Sequence, residues 1–247
     1  MLLGIYNYTT ILSYLNLFMG FLGIGLALGD KYLLATICLL IAGICDMFDG
    51  LVSRSKKNRT IFEKKYGIQI DSLADIISFG CLPIFINYAL IQNDDIQAPK
   101  SLLSIRGEPQ IYILFWFISS FYVLAALIRL SYFNAISEEK LQDKIPNNNP
   151  QFFIGIPVTF SAIIFPFIIL IKTIISKIFK RNQEILINLN YIIINIYFIL
   201  VMVLTFLFVF PKIKIKKPTK KYINILSFFS CLVIFLLIFL QLFTAIE

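Results

Sequence analysis

The chain has 247 residues, of which 59% are hydrophobic and only 15% charged. A soluble domain is about 45–50% apolar and about 25% charged, so this composition excludes water as the solvent for most of the surface and implies an all-α, polytopic transmembrane helical bundle. The net charge of +8, from 22 Lys/Arg against 14 Asp/Glu, would suggest nucleic acid in a soluble protein. Here the basic residues cluster between apolar runs, where topology and anionic head groups account for them, and nucleic acid is not an expected partner.

A spanning helix needs roughly 20 apolar residues. Seven segments meet this in chain order, at about 9–29, 32–54, 70–92, 110–134, 152–176, 188–210 and 222–245. The expected count is six to seven spans, eight at most, in one integral membrane domain over residues 1–247. These runs are too many and too long for a cleavable leader, and the opening MLLGIYNYTT carries no basic stretch. In the first span, Gly20, Gly23, Gly25 and Gly29 read as close-packing positions. Asn16, preceded by Thr9 and Thr10, reads as a helix-packing residue, with nucleotide contact as the alternative.

The second connection carries Arg54, Lys56, Lys57, Arg59, Lys64 and Lys65, and the sixth carries Lys212, Lys214, Lys216, Lys217, Lys220 and Lys221. With seven spans both fall on one side, which the positive-inside rule makes cytoplasmic. Lys177, Lys180 and Arg181 in the fifth connection run against that pattern. The later spans, rich in Phe, read as lipid-facing bulk.

Histidine is absent, which removes His-ligated zinc and the usual neutral-pH base. The four cysteines (Cys38, Cys45, Cys81 and Cys231) lie in apolar segments without metal-site spacing and read as small core residues. The acidic residues sort by position. Asp30, Glu63, Asp94, Asp95, Glu108, Glu138, Glu139, Asp143, Glu184 and Glu247 fall in expected loops or at the terminus. The other four, Asp46, Asp49, Asp71 and Asp75, fall within or at the ends of spans two and three. An intramembrane Asp costs about 2.5–3.5 kcal/mol on insertion scales, so it faces a partner or a wet cavity.

Asp46 and Asp49 are i,i+3, and Asp71 and Asp75 are i,i+4, so each pair shares a helix face. Span three is expected to begin near Ile70, with Asp71 and Asp75 in its first two turns and Asp71 a plausible N-cap. Antiparallel spans would then converge four carboxylates near the cytoplasmic face, where they repel one another. A divalent cation resolves this. All-oxygen ligation suits Mg²⁺, Mn²⁺ or Ca²⁺ rather than zinc or copper.

Read in order, Asp46-x-x-Asp49-Gly50-x-x-Ser53-Arg54 and then Gly67-x-x-x-Asp71-x-x-x-Asp75 resembles the signature of the CDP-alcohol phosphotransferases, D-x-x-D-G-x-x-A-R followed by G-x-x-x-D-x-x-x-D. Ser53 stands where Ala is usual. Twelve residues separate Arg54 from Gly67 against about eight in the family, and the extra basic residues are expected to loop outward. Asp71-Ser72-Leu73-Ala74-Asp75, with Ser78-Phe79-Gly80 and Pro83, is similar to the phosphatidylserine synthase branch. Arg129-Leu130-Ser131-Tyr132-Phe133-Asn134 and Phe153-Ile154-Gly155-Ile156-Pro157 resemble two later segments of that branch. The resemblance covers roughly residues 9–160.

The resemblance implies transfer of a phosphatidyl group from CDP-diacylglycerol to L-serine by an enzyme of a bacterial or archaeal cell membrane. It implies a site facing the cytoplasm, membrane lipids as partners, and a homodimer. Two metals would be held, one by Asp46, Asp49 and Asp71 and one by Asp49, Asp71 and Asp75, with Asp75 as general base. Gly50, Ser53, Arg54 and Gly67 would face the substrate. Gly50 would let the nucleotide approach the backbone, and Arg54 would bridge phosphate oxygens. Arg129 would bind the serine carboxylate or a phosphate, unless it snorkels to head groups. The motif builds the donor site and leaves other acceptors open, among them glycerol 3-phosphate, inositol and choline. Intramembrane aspartates also occur in cation-coupled transporters, although their ion sites sit near the midplane, often in inverted repeats, and no repeat is visible here. A non-catalytic scaffold is the third reading.

Overall fold

A computed structural model describes residues 4–56, 58–93, 109–142, 152–179, 182–216 and 220–246. Asp94, Asp95, Glu108, Asp143, Glu247, Lys57, Lys180, Arg181 and Lys217 therefore lie outside the described residues, as do the side chains of Arg54, Glu184, Lys214, Lys216, Lys220 and Lys221.

The helices follow in the expected order: α1 (Ile11–Leu28), α2 (Tyr32–Ser55), α3 (Ile61–Asp75), a π-helical segment (Ile76–Cys81), α4 (Leu82–Asn93), α5 (Pro109–Gln142), α6 (Ser161–Ile178), α7 (Gln183–Val209) and α8 (Lys220–Ile246). Since α3, the π segment and α4 run on without a break, the third span is one rod. Among the described residues, six helical stretches are long and apolar enough to cross a membrane, and α8 adds a shorter apolar stretch over Ile225–Phe239. The chain is a multi-pass helical membrane protein. Its outward face fits that solvent, with Phe21 and Phe228 each 72% exposed on long apolar helices.

Two boundaries differ from the sequence reading. The third rod begins at Ile61, not near Ile70, because Thr60 and Glu63 form a reciprocal capping box. Its first turns carry Glu63, Lys64, Lys65 and Gln69, so hydropathy does not detect them. Asp71 is consequently not an N-cap; Lys56 and Asn58–Thr60 of the basic insertion do lie outside the helices, while Ile61–Tyr66 before Gly67 are helical. Glu63 and Glu138 likewise lie on helices, not in loops.

The fifth span begins at the Val158–Phe160 helical turn rather than at residue 152. Phe152–Ile154 instead forms a short strand, β1, antiparallel to β2 (Lys214–Lys216), with Phe152 opposite Lys216 and Ile154 opposite Lys214. Gly155 has φ +71, a left-handed conformation that favours glycine, and Pro157 follows before the helix can start. This ribbon ties the α5–α6 connection to the α7–α8 connection, so both lie on one side.

The core runs through α2, the third rod, α5, α6 and α7, where Phe79, Tyr122, Phe165 and Tyr197 are fully buried. The Phe165 and Tyr197 rings stack at 4.4 Å. Gly20 and Gly23 of α1 pack on Ser78 and Leu82, which fulfils their expected close-packing role, whereas Gly25 faces open space. The cysteines are free; Cys38 is buried, while Cys231 is exposed rather than in the core.

Pro83 has no N–H to return to the preceding turn. The hydroxyls of Tyr122 (3.0 Å) and Ser161 (3.3 Å) both donate to the Phe79 carbonyl, and Tyr197 donates to the Pro83 carbonyl at 2.9 Å. In lipid no water can do this, so neighbouring helices satisfy the freed backbone groups. The π segment they brace begins immediately after Asp75.

Candidate active site

Four helical turns supply the acidic side chains. Asp46 and Asp49 lie in the last turns of α2, and Asp71 and Asp75 in the last turns of α3. One carboxylate oxygen each from Asp46, Asp71 and Asp75 lies within 4.8 Å of the others. Asp75 is buried and the other two are half-buried.

Asp49 is buried beside this group but not counted in it. Its Oδ2 accepts a hydrogen bond from Ser13 Oγ on α1. Asn16, one turn along α1 and fully buried, donates Nδ2 to Asp75 Oδ1 at 2.9 Å. The backbone carbonyl of Asn16 also accepts from Ser78 Oγ at 2.9 Å, which locks α1 to the π segment. The first helix is therefore part of the site.

Asp71 Oδ1 is buried and has no hydrogen-bond partner among the described residues. Buried polar atoms are rarely left so. A buried, unpaired carboxylate oxygen on a residue grouped with two further carboxylates makes a donor set suited to a cation. Oxygen-only ligands from three aspartates fit Mg²⁺, Mn²⁺ or Ca²⁺.

The other expected positions fall as follows. Ser53 Oγ turns back to the Gly50 carbonyl at 3.5 Å, so its hydroxyl is spent within α2. Arg54 sits one residue further along the helix. Gly67 lies one turn before Asp71 on the same face, and the space a Cβ would need there is taken by the guanidinium of Arg59, 2.7 Å from the ideal Cβ position.

Arg129 is only 6% exposed. It donates Nη1 to the Phe208 carbonyl (3.2 Å) and Nη2 to the Gly155 carbonyl (3.3 Å), and it lies 4.9 Å over the Phe133 ring. These bonds join α5, the turn before α6 and the end of α7. Buried in this way, Arg129 braces backbone carbonyls of two neighbouring elements and does not snorkel to the head groups.

The sequence reading also passed over a set of positioning contacts. Ser72 donates to Asn134 Oδ1, and Gln69 to Glu138 Oε1, both at 2.8 Å, pinning α5 to α3 beside Asp71. Hydropathy gives no sign of such pairs, although Asn134 stands in a segment with family resemblance.

Several curated proteins are similar in sequence to this chain. A Helicobacter pylori protein named CDP-diacylglycerol–serine O-phosphatidyltransferase is 24% identical over 160 residues, 65% of this chain and 56% of the relative. An archaetidylserine synthase of Methanothermobacter thermautotrophicus is 29% identical over 153 residues, 62% of this chain and 53% of the relative. A Mycobacterium leprae protein with the same name as the first is 28% identical over 152 residues, 62% of this chain and 43% of the relative. The matches thus span about half the length of these curated relatives. The family model for CDP-alcohol phosphatidyltransferases matches residues 6–246. With that match over nearly the whole length, the chain belongs to the CDP-alcohol phosphatidyltransferase family.

Proposed function

We propose that the chain transfers a phosphatidyl group from CDP-diacylglycerol to the hydroxyl of L-serine, giving phosphatidylserine and CMP. The observation that carries this reading is the grouping of Asp46, Asp71 and Asp75, with Asp71 Oδ1 unpaired, in a family member. The names of the relatives support serine as acceptor.

One or two Mg²⁺ or Mn²⁺ ions held by Asp46, Asp71 and Asp75, with Asp49 alongside, would neutralise the pyrophosphate and stabilise the leaving CMP. Asp75 accepts the serine hydroxyl proton at Oδ2, the oxygen Asn16 does not hold. The serine oxygen forms a bond to the lipid phosphorus, and the bond from that phosphorus to the CMP oxygen breaks. Ser13 fixes the Asp49 carboxylate in the same way that Asn16 fixes that of Asp75. Gly50 leaves room for the nucleotide, and Arg54 bridges phosphate oxygens. Arg129 takes no substrate role in this account. The helices act as one catalytic domain, with the site on the cytoplasmic side of the cell membrane and two copies forming a homodimer.

The test is CMP release by purified protein from CDP-diacylglycerol with a panel of acceptors, in Mg²⁺, Mn²⁺ or chelator. The reading expects metal-dependent release with serine. Release with glycerol 3-phosphate, inositol or choline but not serine would make the acceptor wrong. Cation uptake without turnover would favour a carrier.

A further inference from the structure

The loop between α2 and α3 is longer than the family motif requires, and it brings a cation to the site that the motif does not contain. Lys56 pairs with Glu63 at 2.8 Å. Glu63 also accepts from the Thr60 N–H at 3.0 Å, which closes the loop onto the first turn of α3. Held this way, Arg59 reaches back between the end of α2 and the first turns of α3. Its Nη1 donates to the Ser53 carbonyl at 3.2 Å and its Nη2 to the Glu63 carbonyl at 3.3 Å. Its Nε is buried and has no partner among the described residues.

The guanidinium sits against Gly67. Gly67, Asp71 and Asp75 are spaced i, i+4 and i+8, so they form one column along α3. Arg59 therefore caps that column about 6 Å, one four-residue step, outward from Asp71. It also lies within electrostatic reach of Asp49. A guanidinium has five donors, and the structure uses two of them on backbone carbonyls.

We propose that Arg59 is a binding residue for the nucleotide pyrophosphate, supplied by the lengthened loop. The guanidinium stands one helical step from the carboxylates that would hold the cations of a pyrophosphate, within reach of its outer oxygens. A planar fork with unspent N–H groups matches phosphate geometry. Absence of a side chain at Gly67 then serves to seat Arg59 rather than to admit the nucleotide directly.

This inference rests on the proposed function, so its test separates the two. Full-length protein in detergent with Mn²⁺ is titrated calorimetrically with CDP, CMP and cytidine, and turnover of CDP-diacylglycerol is measured alongside. Arg59→Ala should weaken CDP binding and raise KM for the CDP-lipid about tenfold or more, the scale of a lost charged hydrogen bond. Cytidine binding and kcat should hold, and Arg59→Lys should recover only part of the CDP affinity. Lys56→Met removes the ion pair in the same loop and should leave the ratio of CDP to cytidine affinity unchanged. Equal CDP affinity in Arg59→Ala and wild type overturns the proposal. So does an equal loss of CDP and cytidine binding in Arg59→Ala and Lys56→Met, which would make Arg59 a loop staple. Wild-type protein that binds CDP but releases no CMP with any acceptor contradicts the proposed function and leaves the binding comparison to judge Arg59.

Discussion

Asn16 and Asp75, 59 residues apart in sequence, meet inside the bundle through an Nδ2 to Oδ1 hydrogen bond of 2.9 Å. The bond holds the proposed base in one orientation. It also leaves Asn16 Oδ1 buried without a partner among the described residues. A residue that hydropathy assigns to helix packing thus also touches the carboxylate group.

Replacing Asn16 should therefore damage the chemical step more than binding. Asn16→Ala frees the Asp75 carboxylate to turn, and a small misplacement of a catalytic group can cost roughly 100-fold in rate. Steady-state kinetics should show kcat falling by about that factor, with KM for CDP-diacylglycerol changed little. A raised KM with normal kcat would assign Asn16 to substrate binding instead.

The aspartates should separate by role. Asp49→Asn and Asp71→Asn are expected to abolish turnover. Asp75→Asn should lower kcat by about 10²–10⁴-fold, the usual contribution of a general base, while CDP-lipid binding remains substantial. Radiolabelled CMP release together with equilibrium binding checks both. Appreciable turnover in Asp71→Asn would count heavily against the carboxylate group as the metal site.

Chelation should silence the enzyme reversibly. EDTA removes activity, and Mg²⁺ or Mn²⁺ restores it, since oxygen-only ligands favour hard cations. Zn²⁺ should fail to restore it. Full activity in excess chelator would remove the cation from the account.

Arg129 should matter for stability. Arg129→Met leaves the Phe208 and Gly155 carbonyls without their donors, and each buried group left unsatisfied costs about 1–3 kcal/mol. Thermal unfolding in detergent should shift down, with KM for serine unchanged in the protein that remains folded. An unshifted melt with a raised KM for serine would return Arg129 to the substrate.

Much of this was legible in the sequence because lipid imposes simple rules. Apolar runs gave the helices, and the spacing of Asp46, Asp49, Asp71 and Asp75 gave two shared faces. Polar helix ends were not legible. The capping box at Thr60 and Glu63 extends the third rod beyond its apolar stretch, and Gly155 with Pro157 delays the sixth helix. Contacts made across long sequence separations, such as Ser13 to Asp49 and Arg129 to Phe208, leave no periodic trace. Pro83 was visible as a motif residue, but its effect depends on Tyr122 and Ser161, which only the packed bundle brings to the Phe79 carbonyl.

The most direct measurement is anomalous diffraction from crystals of the protein grown with Mn²⁺. The account predicts a manganese peak among the carboxylates of Asp46, Asp71 and Asp75, lost in Asp71→Asn. Manganese bound elsewhere, or a peak that survives that substitution undiminished, would contradict it.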